Sequence, residues 1–469
     1  MTEILNPNEF PIKLNSDNLS ENLDVLSRNP HGLVNGVALV GSTCTKWREG
    51  DEITKGVEGI INEAGIVTYN PNINEPGAWE INADKYIKAE ADAMANFSVL
   101  GFFLNNEGLK NMSAGSFTEI GLSILSARLR GQIIAVNIED KIEETLEDPS
   151  ILVQFTALNE MLKNLSKIHP ERVVLLNGAD TTRFSEVLER LVKKQKDPEQ
   201  ALEPFGEKDV NIFLHKKIRR LSHLGDVFIT QGGSSGASSR HDEDQFKKDR
   251  KRIKYIWKKH KLTDLAARGS KFNTAEYWDY VTEDEEIDIK QKAERLRLLF
   301  KSELRDKECA DVLLWYIHEL SLSLGAVTEI GTLGVEALDS GQVLIMLHEP
   351  IDTSEIIKGK LEDQNQEDIN LNANSPNEEE THKTLEHYLK TSKKVRLISH
   401  ENFLRIKALI EDIKTEYGVT IMSFETDYDE FIRECLRTSQ ELTELKDKLR
   451  KAGKYANRNN IVLEYLIGN

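Results

Sequence analysis

Two glutamates stand in matching surroundings. Glu119 lies in Ser113-Ala-Gly-Ser-Phe-Thr-Glu-Ile-Gly121, and Glu329 holds the same place in Ser323-Leu-Gly-Ala-Val-Thr-Glu-Ile-Gly331. Each is expected at the start of a helix, just after a loop containing Gly115 or Gly325. Backbone N–H groups at such a start, together with the loop, can hold an anionic group. An ionised carboxylate there is placed to meet an electron-poor anomeric carbon. Breaking a C–N glycosidic bond gives the sugar oxocarbenium character, and a carboxylate can then attack as a nucleophile. The plainer alternative is a helix-terminal glutamate satisfied by the dipole; the duplicated context favours chemistry. Ser113 and Ser323 lie six residues before these glutamates. They are either hydroxyl donors to a sugar or phosphate oxygen, or turn and N-cap serines. Glu90 and Glu303 lie on expected helices leading into a third strand. They either bind a sugar hydroxyl or relay a proton to the leaving base, or they belong to solvated helix faces.

A second group of residues could wrap the ligand. Gly41-Ser42-Thr43-Cys44-Thr45-Lys46-Trp47-Arg48-Glu49 follows a strand and precedes a helix, which suits a loop around a sugar or phosphate. It has neither the P-loop spacing nor a GxGxxG pattern. Trp47 either stacks on a base or packs in the core, and Arg48 can pair a phosphate or Glu90. Tyr69-Asn70-Pro71 closes the second strand at the edge of the same pocket. The corresponding turn of the second half is Gly232-Gly233-Ser-Ser-Gly236. The basic run Lys247–Lys254, with Trp257 beyond it, is either a phosphate or nucleic-acid patch or the solvated face of an amphipathic helix. Histidines show no ligand spacing and no CxxC pair occurs among the three cysteines, so neither a metal site nor a disulfide framework is read. No cofactor is expected.

The elements that position these residues come twice. The Ser and Glu landmarks recur at an offset of 210, and so does Gly131-Gln132-Ile133 as Gly341-Gln342-Val343. Trp79 has a counterpart in Trp278. Each half opens with an apolar strand ending in small residues, Val37–Val40 and Val227–Thr230. Each then shows a strand at Ser98–Leu104 or Val312–Ile317, and another at Ile133–Val136 or Val343–Leu347. Each closes with a strand and helix: Arg172–Leu176 then Arg183–Lys194, and Val395–Ser399 then Phe403–Tyr417. Between strands, Ile53, Val57, Ile60 and Ile61 share one helical face, and Ile120, Ile124 and Leu125 another. Such alternation predicts an α/β fold with parallel, doubly wound sheets and ligands beyond the carboxyl ends of the strands.

The domain plan is a polar lead-in over 1–33, a first domain over 34–195, a connector over 196–224, a second, diverged domain over 225–418 and a tail over 419–469. An acidic, Asn- and Gln-rich insertion, 353–386, reads as flexible. The tail holds an expected helix, Tyr428–Lys451, and a final apolar run, Ile461–Ile467.

Composition narrows the partners. Hydrophobic residues make up 39% and charged residues 30%, as in globular proteins. The net charge of −18 should repel nucleic acid and anionic membrane, so a small anionic substrate needs a local cation. No secretory h-region and no membrane-length apolar run are found, and a cytoplasmic location is expected.

In order and type, these residues resemble the nucleoside 2-deoxyribosyltransferase-like family and its nucleotide N-hydrolase relatives. The match runs through Gly41-Ser42, Trp47-Arg48, Tyr69-Asn70-Pro71, Trp79-Glu80, Glu90, the strand Val99–Leu104 and Ser113-x-Gly-x-x-x-Glu119-Ile-Gly121. The second half fits more loosely, through Gly232-Gly233, Trp278, Glu303 and Ser323–Gly331, and lacks the Trp-Arg and Asn-Pro landmarks. The resemblance implies flavodoxin- or Rossmann-like sheets with helices on both faces. It implies that Glu119, and by repetition Glu329, forms a glycosyl-enzyme intermediate, resolved by another base or by water. It also implies pairing of domains, here as an internal pseudo-dimer of the repeats or as a homo-oligomer. Three functions remain open: a salvage enzyme for nucleosides or nucleotides, a defence effector that degrades nucleotides or NAD, and a sensor that binds nucleotides without turnover.

Overall fold

The computed structural model describes residues 13–40, 46–50, 55–71, 78–105, 114–142, 149–204, 226–231, 263–264, 291, 312–317 and 343–348. Six strands form the first sheet: β1 (Lys13–Leu14), β2 (Val34–Val40), β3 (Val67–Tyr69), β4 (Phe97–Leu104), β5 (Ile133–Ile138) and β6 (Val173–Asn177). The sequences VNGVALV, FSVLGFFL and IIAVNI are apolar almost throughout. Such runs suit strands covered on both faces, as in all-parallel sheets. Every pairing in this sheet is parallel, in the order β1-β3-β2-β4-β5-β6. Apart from the edge strand β1, that is the flavodoxin-like order, whose switch point lies between β2 and β4.

Among the described residues, the α-helices that pack around this sheet are α1 (Leu19–Asn22), α2 (Lys46–Glu49), α3 (Val57–Glu63), α4 (Ala78–Asn96), α5 (Ala114–Arg130), α6 (Pro149–Ile168) and α7 (Thr181–Lys196). Alternate strand residues Val37, Leu39, Val99, Ile133 and Ala135 form one apolar cluster with Val57 and Ile61 of α3 and Phe184, Leu188 and Val192 of α7. A Cβ on Gly101 of β4 would meet Leu39, Leu188 and Val37 at 3.3–3.4 Å, so a glycine lets α7 lie close to the sheet. The opposite face is covered by α4 and α5. At the end of α5, Gly131 takes a φ of 79°, and the next residue, Gln132, is fully buried. Its amide donates to the Met94 and Phe97 carbonyls, both at 2.6 Å, tying the end of α4 to the start of β4. In the first sheet the Gly-Gln landmark is therefore structural.

Several expected elements shift. Helix α3 starts at Val57, and Ile53 lies outside the described residues. The lead-in supplies β1, which pairs with β3 through Lys13↔Thr68 and Leu14↔Tyr69. Helix α6, unforeseen above, buries Phe155, Leu158, Met161, Leu162 and Leu165 at helical spacing. No helix among the described residues is long and apolar enough to cross a membrane.

Four strands of the second half are described: β7 (Asp226–Gln231), β8 (Thr263–Asp264), β9 (Val312–Ile317) and β10 (Val343–His348). They form a parallel sheet in the order β10-β9-β7-β8. One row across it joins Asp264, Val227, Val312 and Val343. The corresponding row of the first sheet joins Thr68, Val37, Val99 and Ile133. The insertion 353–386, the closing strand and helix of the second half, the basic run and the tail lie outside the described residues.

Candidate functional site

The site is built where β2 and β3 end. Arg48 lies on α2, the short helix that follows β2, and is 5% exposed. A Cβ on Gly56 would run into the backbone of Arg48 and Gly50, so only glycine lets the start of α3 approach this turn. Tyr69, the last residue of β3, is fully buried and lies beside Ala38 in the sheet register. Its ring tilts against Phe97, with centroids 6.4 Å apart. Asn70 follows, also fully buried, and its backbone N–H donates to the Leu14 carbonyl at 2.9 Å.

Helices α4 and α5 bring the acids. Glu90 on α4 is 6% exposed and Glu119 on α5 is 2% exposed. The Tyr69 phenol reports their proximity. Burial pushes its pKa well above the ordinary tyrosine value, and the negative charges of Glu90 and then Glu119 push it further. The hydrogen bond with Ser16 and the positive charge of Arg48 act in the opposite direction. One phenol, two carboxylates and one guanidinium thus share an electrostatic neighbourhood, and the phenol stays protonated through neutral pH.

Two expectations need correction. Glu119 is not at the helix start: α5 begins at Ala114, which makes Glu119 its sixth residue, in the second turn. The segment read as a Gly-containing loop is helical from Ala114 onward, with Gly115 as the second residue. Glycine's weak helix propensity, about 1 kcal/mol against alanine, is overridden by the context. Nor does Trp47 offer its ring to a base. It is 4% exposed and stacks on Phe103, with centroids 5.1 Å apart and planes at 17°. Phe184 packs against it at 6.2 Å, and the Arg48 guanidinium lies 5.9 Å from its centroid. Trp47 belongs to the apolar cluster of the α3 and α7 face.

The remaining expected positions divide. Trp79 stands in the first turn of α4, with its side chain outside the described residues. Gly41, Ser42, Thr43, Ser113, Gly232, Gly233, Glu303, Ser323, Gly325 and Glu329 all lie outside the described residues.

Three residues not anticipated from the sequence join the site. Glu58 on α3 is 5% exposed; its Oε2 accepts from Asn70 Nδ2 at 3.3 Å and pairs with Lys13 Nζ at 2.9 Å. Ser16 Oγ lies 3.2 Å from the Tyr69 hydroxyl and donates to the Pro71 carbonyl at 3.2 Å. Lys13 and Ser16 sit in a segment whose strand is only two residues long, too short for any periodic signal. Glu58 had a signal: three residues before Ile61, it borders the apolar face of its helix.

Chemically, two carboxylates near one buried cation can divide into a nucleophile and a group that binds a hydroxyl or moves a proton. Fold and site together define a parallel α/β protein with an acid, arginine and phenol cluster at the carboxyl edge of its sheet. No family model, curated protein or solved structure matches the chain.

Proposed function

We propose that this chain is an enzyme that cleaves or exchanges the N-glycosidic bond of a nucleoside or nucleotide. The observation behind this reading is the convergence of Glu90, Glu119 and Arg48 around the Tyr69 phenol, at the sheet edge where α/β folds bind ligands. Glu119 attacks the anomeric carbon as the base departs, forming a glycosyl ester. Glu90 binds the sugar hydroxyl or relays the proton that the leaving base takes. Arg48 offsets the charge of the acid pair and supplies the local cation that a chain of net charge −18 needs for an anionic substrate. A second base, or water, then attacks the ester and frees Glu119.

The two halves are diverged copies of one unit in this reading. Support comes from the two strand rows, which have the same order and parallel sense. Counted from those rows, Glu90 precedes Val99 by nine residues and Glu303 precedes Val312 by nine. Glu119 precedes Ile133 by fourteen, and Glu329 precedes Val343 by fourteen. If only one unit is active, it is the first, which has the Arg48, Tyr69 and Asn70 landmarks.

The test incubates the purified chain with nucleosides, nucleotides and NAD and measures free base by chromatography. Release that Glu119→Ala abolishes is the expected result. Release from NAD or ribonucleotides alone would move the role toward a degrading effector. Binding with no release across the panel would replace the enzyme by a sensor.

A further inference from the structure

Two neighbouring residues of the lead-in hold one residue of the site. The Leu14 carbonyl accepts from the backbone N–H of Asn70 at 2.9 Å, and Leu14 pairs with Tyr69 in the sheet. Lys13 reaches the Asn70 side chain through an intermediary. Its Nζ pairs with Glu58 Oε2 at 2.9 Å, and the same oxygen accepts from Asn70 Nδ2 at 3.3 Å. Glu58 depends on this arrangement. Its other oxygen, Oε1, is buried without a hydrogen-bond partner. An amide supplies a proton but no net charge, so among the described residues Lys13 is the one cation paired with Glu58. The Lys13 side chain is 45% exposed and that of Glu58 6%. Water can solvate the lysine but cannot reach the carboxylate, and a buried charge without its counter-ion is strongly disfavoured.

We propose that Lys13 is a positioning residue: through Glu58 it fixes the Asn70 side chain at the edge of the site, which makes the lead-in a working part of the first unit. With a neutral side chain at position 13, the Glu58 carboxylate gains by turning toward water, and Asn70 Nδ2 loses its Oε2 acceptor. The backbone of Asn70 stays on Leu14, so the effect falls on the side chain. Asp17, paired with Lys85 of α4, and Ser16, donating to the Pro71 carbonyl, keep the rest of the segment in place. The ion pair therefore acts on the site and not on the sheet as a whole. Neutralising Glu58 removes the need for Lys13. A glutamine there carries no charge, and its carbonyl still accepts from Asn70. The two substitutions are therefore strongly non-additive.

The fixing of Asn70 stands on these contacts alone; its consequence for substrate rests on the proposed reading of the site. The experiment separates the two. Full-length protein labelled with 15N in its asparagine side chains is observed by NMR, with Asn70→Ser identifying the Asn70 amide signal. Lys13→Met is expected to move that signal, and Lys13→Arg, which keeps the charge, to leave it near its wild-type position. In a Glu58→Gln background, Lys13→Met should leave the signal where Glu58→Gln alone puts it. In base-release assays Lys13→Met should raise KM by about tenfold with kcat little changed, the size of one lost binding contact. In the Glu58→Gln background it should change neither. An Asn70 signal unchanged by Lys13→Met in folded protein would overturn the proposal, and so would an equal movement in both backgrounds. A moved signal with KM unchanged would reduce the ion pair to a structural one and overturn it as well. Should Lys13→Met alone not fold, the double variant decides. Folded protein with the Asn70 signal of Glu58→Gln upholds the route through Glu58, and failure to fold overturns it. A moved Asn70 signal with no base release from wild type upholds the positioning of Asn70 and sinks the enzymatic reading instead.

Discussion

The two faces of the first sheet do different work. Toward α3 and α7 the interior is dominated by apolar side chains, with Trp47, Phe103 and Phe184 meeting ring to ring, although these helices also bury Glu58, Ser185 and Gln195. Toward α4 and α5 the helices bury Glu90, Glu119, Ser123, Ser126 and Arg130, with Gln132 just beyond α5, beside the apolar residues Ile87, Met94, Ile120 and Ile124. Buried charge and polar groups cost stability unless partnered; here Gln132 and Arg130 are partnered within the fold, and Glu90 and Glu119 are the groups to which the proposed chemistry is assigned. The comparison teaches where to look. Substitutions on the aromatic face, and of the structural Gln132, should act on folding, and those of the two acids on turnover.

The largest expected contrast pairs Glu119→Gln with Phe184→Ala. Glu119→Gln should lower base release by roughly a thousandfold or more, with the urea midpoint little changed. Phe184→Ala should cost about 3–5 kcal/mol of stability in urea unfolding, while folded protein keeps its rate per molecule. Equal losses of stability in both would erase the contrast between faces. Gln132→Ala comes next, because it leaves two carbonyls, one at the end of α4 and one at the start of β4, without their donor. A loss of about 1–3 kcal/mol is expected, with turnover falling only as the folded fraction falls. Gly56→Ala tests the joint between the faces, because its Cβ would displace the Arg48 backbone. Overpacking costs of about 1–3 kcal/mol are expected, together with weaker binding of phosphorylated substrates than of uncharged ones.

The smallest effect is alkaline. Above about pH 10 the unfolded chain loses the Tyr69 proton while the folded chain keeps it. The folded state then binds more protons, so stability falls as pH rises, and below that range this residue adds no slope. Wild type should therefore lose stability between about pH 10 and 11 more steeply than Tyr69→Phe. Parallel slopes would mean that the phenol ionises in the folded protein as readily as in water.

Much of this frame is legible in the sequence because buried parallel strands are apolar runs. The central strands β2, β4 and β5 stand out for that reason, as do β9 and β10. Glu90, Glu119, Arg48 and Tyr69 are legible through residue type and order, and the structure gathers all four. The position of Glu119 within its helix is not, because Ala114-Gly115-Ser116 has the composition of a loop and helices only in tertiary context. The environment of Trp47 is not legible either: an aromatic beside an arginine after a strand suits a ligand and a core alike, and only the partners Phe103 and Phe184 decide. Ser16 escapes entirely, since its importance comes from a pairing across 53 residues of chain.

The central claim is that Glu119 becomes covalently attached to the sugar. Incubation with a substrate whose sugar carries fluorine at C2, which slows hydrolysis of the ester, followed by quenching and peptide mass spectrometry, addresses it directly. The account predicts a mass increment of one fluorinated sugar on the peptide bearing Glu119, absent in Glu119→Gln. Base release that continues undiminished in Glu119→Gln, or a sugar adduct on a different residue, would contradict it.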